Sequence, residues 1–497
     1  MENLNEYELG EAWKAFPPTE ADAARLREGE EREKLYEGRF ENVLRRWTDI
    51  KKKRPESPRL KLNFFRVVSD EFAKMIVGEK PTVTVTANAQ AVMDELFEAT
   101  ELRTKLYQAL VMASVQGGVA LKAWRDAGGG VHIDLARDGV YFPSFDPDDA
   151  TRVTGVTLAW ERLDKDTGKM FLVREAYRPG DWKKDVLDMS EWQIDPIQMA
   201  KWYPEAPTEW TPTGYDGIPV EYIPNYQLAG RFWGESDYPA IQDIVEEIMT
   251  RFSTLADVLD KHSYPSKVVP RQVIDEVRET SRDSLAREGA FPRQEADVVT
   301  GRDKNALSST IDLFGAEPGE DPGNLPRYVT WDASLASAYQ ELEKAFELLL
   351  ITTCLPPEVF GLSKYGVSES GRALRFRNTR ALAEANKKRL FMLPPLKRII
   401  RAALALSGYS VELRDISIVT EDGLPFDQLE ATQIAVQQKA AGIASLRTAI
   451  RLINPDLTSA AVEDEVRAIE AELSFLLDGE TPGIPRGAVN PDGGNSP

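Results

Sequence analysis

The chain has 497 residues, 42% of them hydrophobic and 29% charged, enough to bury a sizeable core in two to four domains. Lysine and arginine number 61 against 81 acids, a net charge of −20 that argues against a general affinity for nucleic acid or anionic membrane. The single cysteine, Cys354, excludes an internal disulfide. No basic stretch followed by an apolar one opens the chain, and no window approaches eighteen apolar residues, so neither a signal peptide nor a membrane span is expected.

Residues 1 to about 60 are charged and helical in pattern, ending in Lys51, Lys52, Lys53 and Arg54. That run reads as a solvated helix end, a DNA or partner contact being the alternative. From Asn63 the pattern sharpens: Phe65, Val68, Phe72, Met75 and Ile76 share one helical face, and Gly78 stands where a C-cap belongs. "PTVTVTA" alternates as a strand, one helix is predicted over about 89 to 116, and Gly117-Gly118 stops it. Short strands and turns follow to about Tyr177, so this part reads as α+β.

Residues 178 to 226 hold four of the ten tryptophans among many prolines, which forbid long helices, and edge strands with packed irregular loops are expected. Base stacking on those tryptophans lacks the interleaved Lys/Arg it would need. A long helix begins at Tyr238 with Ile241, Ile244, Val245, Ile248, Met249, Phe252, Leu255, Val258 and Leu259 on its apolar face. Residues 264 to 331 are mixed, with a polar helical piece near 271 to 287. The next helix, Ala333 to Thr353, carries Leu335, Tyr339, Leu342, Phe346 and Leu349 at the spacing of a long packed helix, with Asp332 as N-cap. After Pro356-Pro357 and a Gly/Ser-rich stretch comes a helix from about Glu369 to Leu406, with a kink expected at Pro394-Pro395. "VELRDISIV" is a strand. Helices over about 427 to 440, 445 to 453 and 458 to 477 complete the fold before a Pro/Gly-rich tail that reads as disordered.

The signatures of enzymes are missing. Gly168-Lys169 lacks the upstream glycine and the Ser/Thr of a phosphate-binding loop and reads as a turn. His132 and His262 are the only histidines, in unrelated contexts, and read as structural. Cys354, at an apolar helix end, reads as a buried small hydrophobe. Asp146, Asp148 and Asp149 have spacing found in calcium loops, but lack the glycine and closing glutamate of an EF-hand, so a turn between strands is the better reading. No catalytic residue, metal site or cofactor is expected.

One charge anomaly stands out. Between Glu369 and Leu406 lie ten basic residues (Arg372, Arg375, Arg377, Arg380, Lys387, Lys388, Arg389, Lys397, Arg398 and Arg401) against Glu369 and Glu384, a local +8 that leaves −28 on the rest of the chain. Such a helix calls for acidic neighbours, and either a second copy of the chain or DNA supplies them.

The order of these elements resembles the portal proteins, or head-to-tail connectors, of tailed bacteriophages. Four stretches carry the resemblance, which covers roughly residues 60 to 475. They are "NFFRVVSDEFAKMIVGEKPTVTV", "GIPVEYIPN" followed by "GESDYPAIQDIVEEIMTRFSTLADVL", "LPPEVFG" with "SESGRAL", and "GLPFDQLEATQIAVQQKAAGIASLRTAIRLI". The resemblance implies a ring, commonly dodecameric, at one capsid vertex, through which double-stranded DNA enters under a separate terminase motor and later leaves. The partners implied are terminase, the major capsid and scaffolding proteins and head-completion or adaptor proteins, with no membrane and no enzymatic activity. The acidic balance fits, because a cationic channel would grip DNA by releasing counterions.

On that architecture 1–235 is an α+β wing, 236–262 and 333–354 are stem helices flanking a clip at 263–332, and 355–371 is a tunnel loop. A kinked helix and wing return follow at 372–426, a helical crown at 427–478 and a disordered tail at 479–497. Loop residues implied at the channel are Pro356, Pro357, Val359, Phe360, Gly361, Lys364, Tyr365, Gly366, Ser368, Ser370 and Gly371. Val359 and Phe360 would anchor its near end, Lys364 and Tyr365 would touch DNA, and Ser368 or Ser370 would cap the arginine-rich helix. Asp243, Glu246 and Glu247 are candidate channel-lining acids. The rival expectations are another virion structural protein, such as a head–tail adaptor or capsid subunit, and an Asp/Glu-dependent hydrolase.

Overall fold

The computed structural model describes residues 13–53, 60–136, 138–262, 266–270, 313–316, 327–329, 335–360, 376–420, 428–454, 457 and 459–477. The chain forms two compact units, Met1–Gly366 with Arg377–Asp422, and Val367–Phe376 with Gly423–Pro497.

The first unit opens with helices α1 (Glu20–Tyr36) and α2 (Arg45–Lys53). Thr19 caps α1, its hydroxyl accepting from the Asp22 backbone N–H at 3.1 Å. Helix α3 (Phe64–Val77) buries Phe65, Val68, Phe72, Met75 and Ile76, the face its periodicity predicts, and Asn63 caps it by accepting from Arg66 N at 3.1 Å. Strand β1 (Thr82–Thr84) follows, and then two helices, α4 (Gln90–Ala99) and α5 (Leu102–Gln116), stand where a single one is expected. The break falls at Thr100-Glu101. The Thr100 hydroxyl donates back to Leu96 O at 2.7 Å, and Glu101 takes a left-handed φ of 50°, which no continuous helix accommodates.

A three-stranded antiparallel sheet has β2 (Gly118–Arg125) at its centre between β3 (Val131–Ala136) and β10 (Val220–Pro224). A second sheet is an antiparallel meander of β4 (Tyr141–Asp146), β5 (Asp149–Leu163), β6 (Met170–Arg178), β7 (Asp181–Asp188) and β8 (Gln193–Ile194), with β9 (Thr211–Pro212) against β7. Asp146 pairs with Asp149 across the β4–β5 turn, where the acidic trio was expected. The Trp/Pro-rich stretch holds strands and packed loops, and also an unexpected helix, α6 (Pro196–Trp202). Asp195 caps it by accepting from Ile197 N and Gln198 N, both at 2.9 Å, and Pro196 fills its first turn, so proline here starts a helix. Its tryptophans are packed: Trp182 stacks on Tyr177 with ring centres 6.2 Å apart, Trp202 stands edge-on to Phe171 at 5.5 Å, and the Arg178 guanidinium lies 4.4 Å over Trp210.

Two long helices follow, α7 (Tyr238–His262) and α8 (Leu335–Thr353). Between them, strands β11 (Ser266–Pro270), β12 (Leu313–Ala316) and β13 (Arg327–Val329) form a sheet in the order β12-β11-β13. The helical piece expected near 271 to 287 and the Asp332 cap lie outside the described residues. Helix α9 (Thr379–Leu406) runs on through Pro394 and Pro395, and β14 (Ser417–Val419) returns to pair with β1. One continuous core joins α3, α5, α7, α8 and the C-terminal half of α9, where Leu396, Ile399, Ile400, Ala403 and Leu404 are buried.

The second unit is helical: α10 (Gln428–Ala440), α11 (Leu446–Ile453) and α12 (Ser459–Leu477), within two residues of the expected bounds. Gly442, at φ +70°, ends the first, Ser445 caps the second, and Ile450, Val462 and Val466 form a small core.

Candidate functional site

Helices α7 and α8 pack on each other. Ile241, Val245, Ile248, Met249 and Leu255 of α7 and Leu342 and Leu349 of α8 are buried, and Phe252 meets Phe346 edge-on at 5.9 Å. Arg251 ties the pair, bonding Glu247 of its own helix at 2.7 Å and Glu341 of α8 at 3.0 Å. Helix α7 and Phe64 of α3, edge-on to Phe346 at 5.6 Å, leave part of α8 uncovered, and Tyr339, expected on the apolar face, is 52% exposed. The three candidate acids have different surroundings. Asp243 is exposed. Glu247 pairs with Arg46 and Arg251, whose bond to it holds its carboxyl below the usual carboxylate range. Glu246 corrects the expectation: it is buried against α2, accepting from the Trp47 backbone N–H at 3.2 Å, and is not available to line a surface.

Helix α8 ends as its sequence requires. Thr353 turns its hydroxyl back to Leu349 O at 2.8 Å, Cys354 adopts φ 59°, and Pro356-Pro357 remove the donors a further turn would use. Cys354 is half-buried and not a core residue, because that backbone turn carries its thiol out to 3.8 Å from Arg380 Nη2. A 3-10 turn, Pro357–Phe360, follows, with Phe360 edge-on to Phe64 at 5.6 Å and Val359 packed on the same core. The remaining loop residues expected at the channel, Gly361, Lys364, Tyr365, Gly366, Ser368, Ser370 and Gly371, lie outside the described residues, as do Arg372 and Arg375.

Most of the described cations of the basic helix find partners within their own chain, a third possibility beside a second copy or DNA. Arg377 pairs with Glu358 at 3.0 Å, Lys387 with Glu384 at 2.8 Å and Arg398 with Glu221 at 2.8 Å, while Arg401 stands 3.5 Å from Asp216. Arg389 donates to Met75 O at 2.6 Å. Lys388 is the clearest correction: it is 3% exposed and so reaches neither DNA nor another subunit.

Lys388 belongs to a buried polar cluster that sequence reasoning missed. Its ammonium lies 2.6 and 2.9 Å from the two carboxylate oxygens of Asp237, 2.5 Å from Asn225 Oδ1 and 4.9 Å over the Phe72 ring. Asp237 also accepts from the Ser114 hydroxyl at 2.6 Å and from Asn225 Nδ2 at 3.0 Å. Ser114 is 2.8 Å from Ser69, which is 2.9 Å from the Tyr238 hydroxyl, a group that burial pushes up in pKa. Ser236 caps α7, accepting from Tyr238 N at 3.1 Å. The cluster therefore joins α3, α5, α9 and the residue after β10 at the start of α7. Gly117 and Gly234 bring two backbones together beside it: a Cβ on Gly117, at φ +99°, would lie 2.4 Å from Gly234 O. The only signal was the string "GESDYP", whose Ser-Asp-Tyr are all cluster members or caps.

Among the described residues no three His, Cys, Asp or Glu side chains are grouped to hold a metal ion, and no helix is long and apolar enough to cross a membrane. Among the described residues the chain thus has an α+β body, two long helices packed on each other, a long basic helix and a second, helical unit, and the match of a family model over most of its length places it in the portal class of virion proteins. The chain belongs to the phage portal protein family, SPP1 Gp6-like, whose pattern matches residues 19–474. It is thus a portal protein, a component of the ring at the portal vertex of a capsid. The chain is similar to chains in three solved structures, each 15% identical and covering 78% of this chain. In "Neck of native GTA particle computed with C12 symmetry" 89% of that chain is covered with a TM-score of 0.35. In "Neck of empty GTA particle computed with C6 symmetry" the figures are 88% and 0.39, and in "Virion of native gene transfer agent (GTA) particle" 88% and 0.34. No curated protein matches the chain.

Proposed function

We propose that copies of this chain close a dodecameric ring whose channel passes double-stranded DNA into the capsid, driven by a separate terminase, and lets it out again at ejection. The observation that carries this reading is the extent of the family match, which spans both long helices, the loop after α8, the basic helix and the helical unit. On this reading 1–235 with the return through β14 is the wing, α7 and α8 are the stem, 263–332 is the clip that meets terminase and later adaptor proteins, and 427–478 is the crown. The chain performs no chemistry; capsid and scaffolding proteins hold it at the vertex. Lys364 and Tyr365 extend from the tunnel loop to the duplex, and Asp243 remains a candidate to face the channel.

Negative-stain microscopy of the purified protein tests the architecture: annular particles with a central hole are expected, and a population of monomers or dimers refutes it. Replacing Lys364 and Tyr365 with glycine should then leave rings intact and lower DNA packaging or retention. Unchanged packaging would remove those two side chains from the mechanism.

A further inference from the structure

The stem hairpin has two ends on the wing side, and helix α9 holds both. Asp237 immediately precedes α7, and Cys354 and Glu358 lie just beyond α8. Arg377, two residues ahead of α9, bonds Glu358 at 3.0 Å, Arg380 reaches Cys354 Sγ at 3.8 Å, and Lys388 bonds Asp237 at 2.6 Å. Positions 380 and 388 lie about 80° apart on a helix of 3.6 residues per turn, so one face of α9 makes both of those contacts, and Arg377 adds the third from just ahead of the helix. The same face thus touches the start of the first long helix and the exit of the second, at Asp237 and Cys354, which are 117 residues apart in sequence; α3 is packed on the same two ends, through Ser69 on Tyr238 and Phe64 on Phe360.

The contacts differ in kind. Lys388 and Asp237 are enclosed, their side chains 3% and 15% exposed, as suits a fixed anchor, whereas Arg377 and Glu358 are 43% and 36% exposed. A solvent-facing ion pair contributes little to folding, because water and salt screen it and two long side chains must be ordered to make it. A pair of that kind at the root of a loop is better suited to fixing a position than to holding a fold together. Glu358 is the second residue of the 3-10 turn whose last residue, Phe360, is seated on Phe64, so the turn's orientation is set from one side by an aromatic contact and from the other by the Arg377 guanidinium.

We infer that Arg377 and Glu358 are positioning residues for the portal's work: with Lys388 and Asp237 as the fixed end, they clasp α9 to the exit of α8, so that the stem hairpin and α9 move as one body. The inference rests on the portal reading and deepens it by naming the contacts through which stem and loop root are coupled.

The test is a charge exchange in the full-length protein. Arg377→Glu sets two carboxylates against each other, and Arg377→Glu with Glu358→Arg restores the pair in the opposite sense. Three readouts are taken: ring formation by negative stain, melting temperature, and packaged DNA in particles assembled with each variant as the only portal. Hydrogen exchange over residues 345–360 supplies a fourth that needs no DNA. Arg377→Glu is expected to form rings with an unchanged melting temperature, to lose packaged DNA and to exchange faster over 345–360, and the double exchange is expected to recover both. Rings with normal packaging and normal exchange in Arg377→Glu overturn the clasp while leaving the portal reading intact. Loss of packaging that the double exchange does not restore also overturns it, since either charge alone, and not the pair, would then matter. If the unsubstituted protein makes no rings the portal reading itself has failed, and the exchange data still decide whether the clasp exists.

Discussion

Replacing Lys388 with methionine keeps the aliphatic stem and deletes the charge, which isolates the worth of the buried ion pair. Removing one partner of such a pair costs about 3–5 kcal/mol, since the other charge stays buried without its counterion. Here the loss falls at the low end. Asp237 keeps the Ser114 hydroxyl at 2.6 Å and the Asn225 amide at 3.0 Å, and it sits at the N-terminus of α7, where the helix dipole stabilises an anion by up to ~2 kcal/mol in a partly buried site. A destabilisation of about 3 kcal/mol lowers the melting temperature of the wing-bearing unit by roughly 3–4 °C, since an unfolding entropy of about 2.1 cal/mol/K per residue makes the shift only about 1.2 °C per kcal/mol in a unit of this length. Calorimetry of unassembled protein measures it. Lys388→Met with Asp237→Asn should recover a good part of the loss, because the double variant leaves no buried charge. A single variant as stable as the parent protein, or a double variant worse than either single one, would refute the account of the cluster as a fully satisfied buried pair.

Two further outcomes follow from the same physics. Burial alone would raise the Glu175 carboxyl, but the ammonium groups of Lys122 and Lys184, at 2.5 and 2.8 Å, bring it down to about 2 from 4.5. A depressed carboxyl adds stability above its unfolded value that disappears as pH falls, so on the order of 3 kcal/mol should be lost between about pH 4.5 and pH 2. Glu175→Gln should flatten that part of an acid-denaturation curve, and an unchanged slope would count against the assignment. Gly117→Ala should destabilise the unit by more than ~1 kcal/mol, since it combines a left-handed backbone with a Cβ clash on main chain, and a chemical-denaturation midpoint equal to the parent's would show that the two backbones separate at no cost.

Much of the fold was legible because helical periodicity is a local signal. The buried face of α3, that of α7 as far as Leu255 and the bounds of the three helices of the second unit follow from apolar spacing and from caps such as Asn63 and Ser445, whereas in the last turns of α7 Leu259 is exposed and Asp257 buried, against the predicted face. The misses lie where a short-range preference was overridden. Glu101 in left-handed geometry splits a stretch whose apolar pattern continues across it, and Asp195 with Pro196 starts a helix in a segment whose prolines argue for irregular chain. The functional elements were less legible for a different reason. An excess of positive charge near 372–401 is visible in composition, but its partners are not: Lys388 meets Asp237 across 151 residues and Asn225 across 163, and Arg389 meets Met75 across 314. Composition shows that a charge must be answered and is silent on whether the answer comes from the same chain, a neighbour or DNA.

That answer decides what closes the ring. Each chain carries −20 overall, so subunits repel one another in bulk. Had the basic helix been free, its cations would have offered an attraction to offset this, but most of those described are already matched by acids of their own chain. The described surface offers apolar side chains instead: Leu348 and Ile351 stand 55% and 56% exposed on the outward face of α8, a stripe that α7 does not cover. Burial of such side chains does not weaken as salt rises, whereas raising it from about 0.1 M to about 1 M shortens the range of charge repulsion from about 10 Å to about 3 Å. Ring formation should therefore increase with sodium chloride over this range, and sedimentation velocity at fixed protein concentration will show it as a shift from protomer to ring. Rings that fall apart at high salt would mean that ion pairs between subunits hold them, and cations left exposed, Arg380 first among those described, would then be the residues to replace.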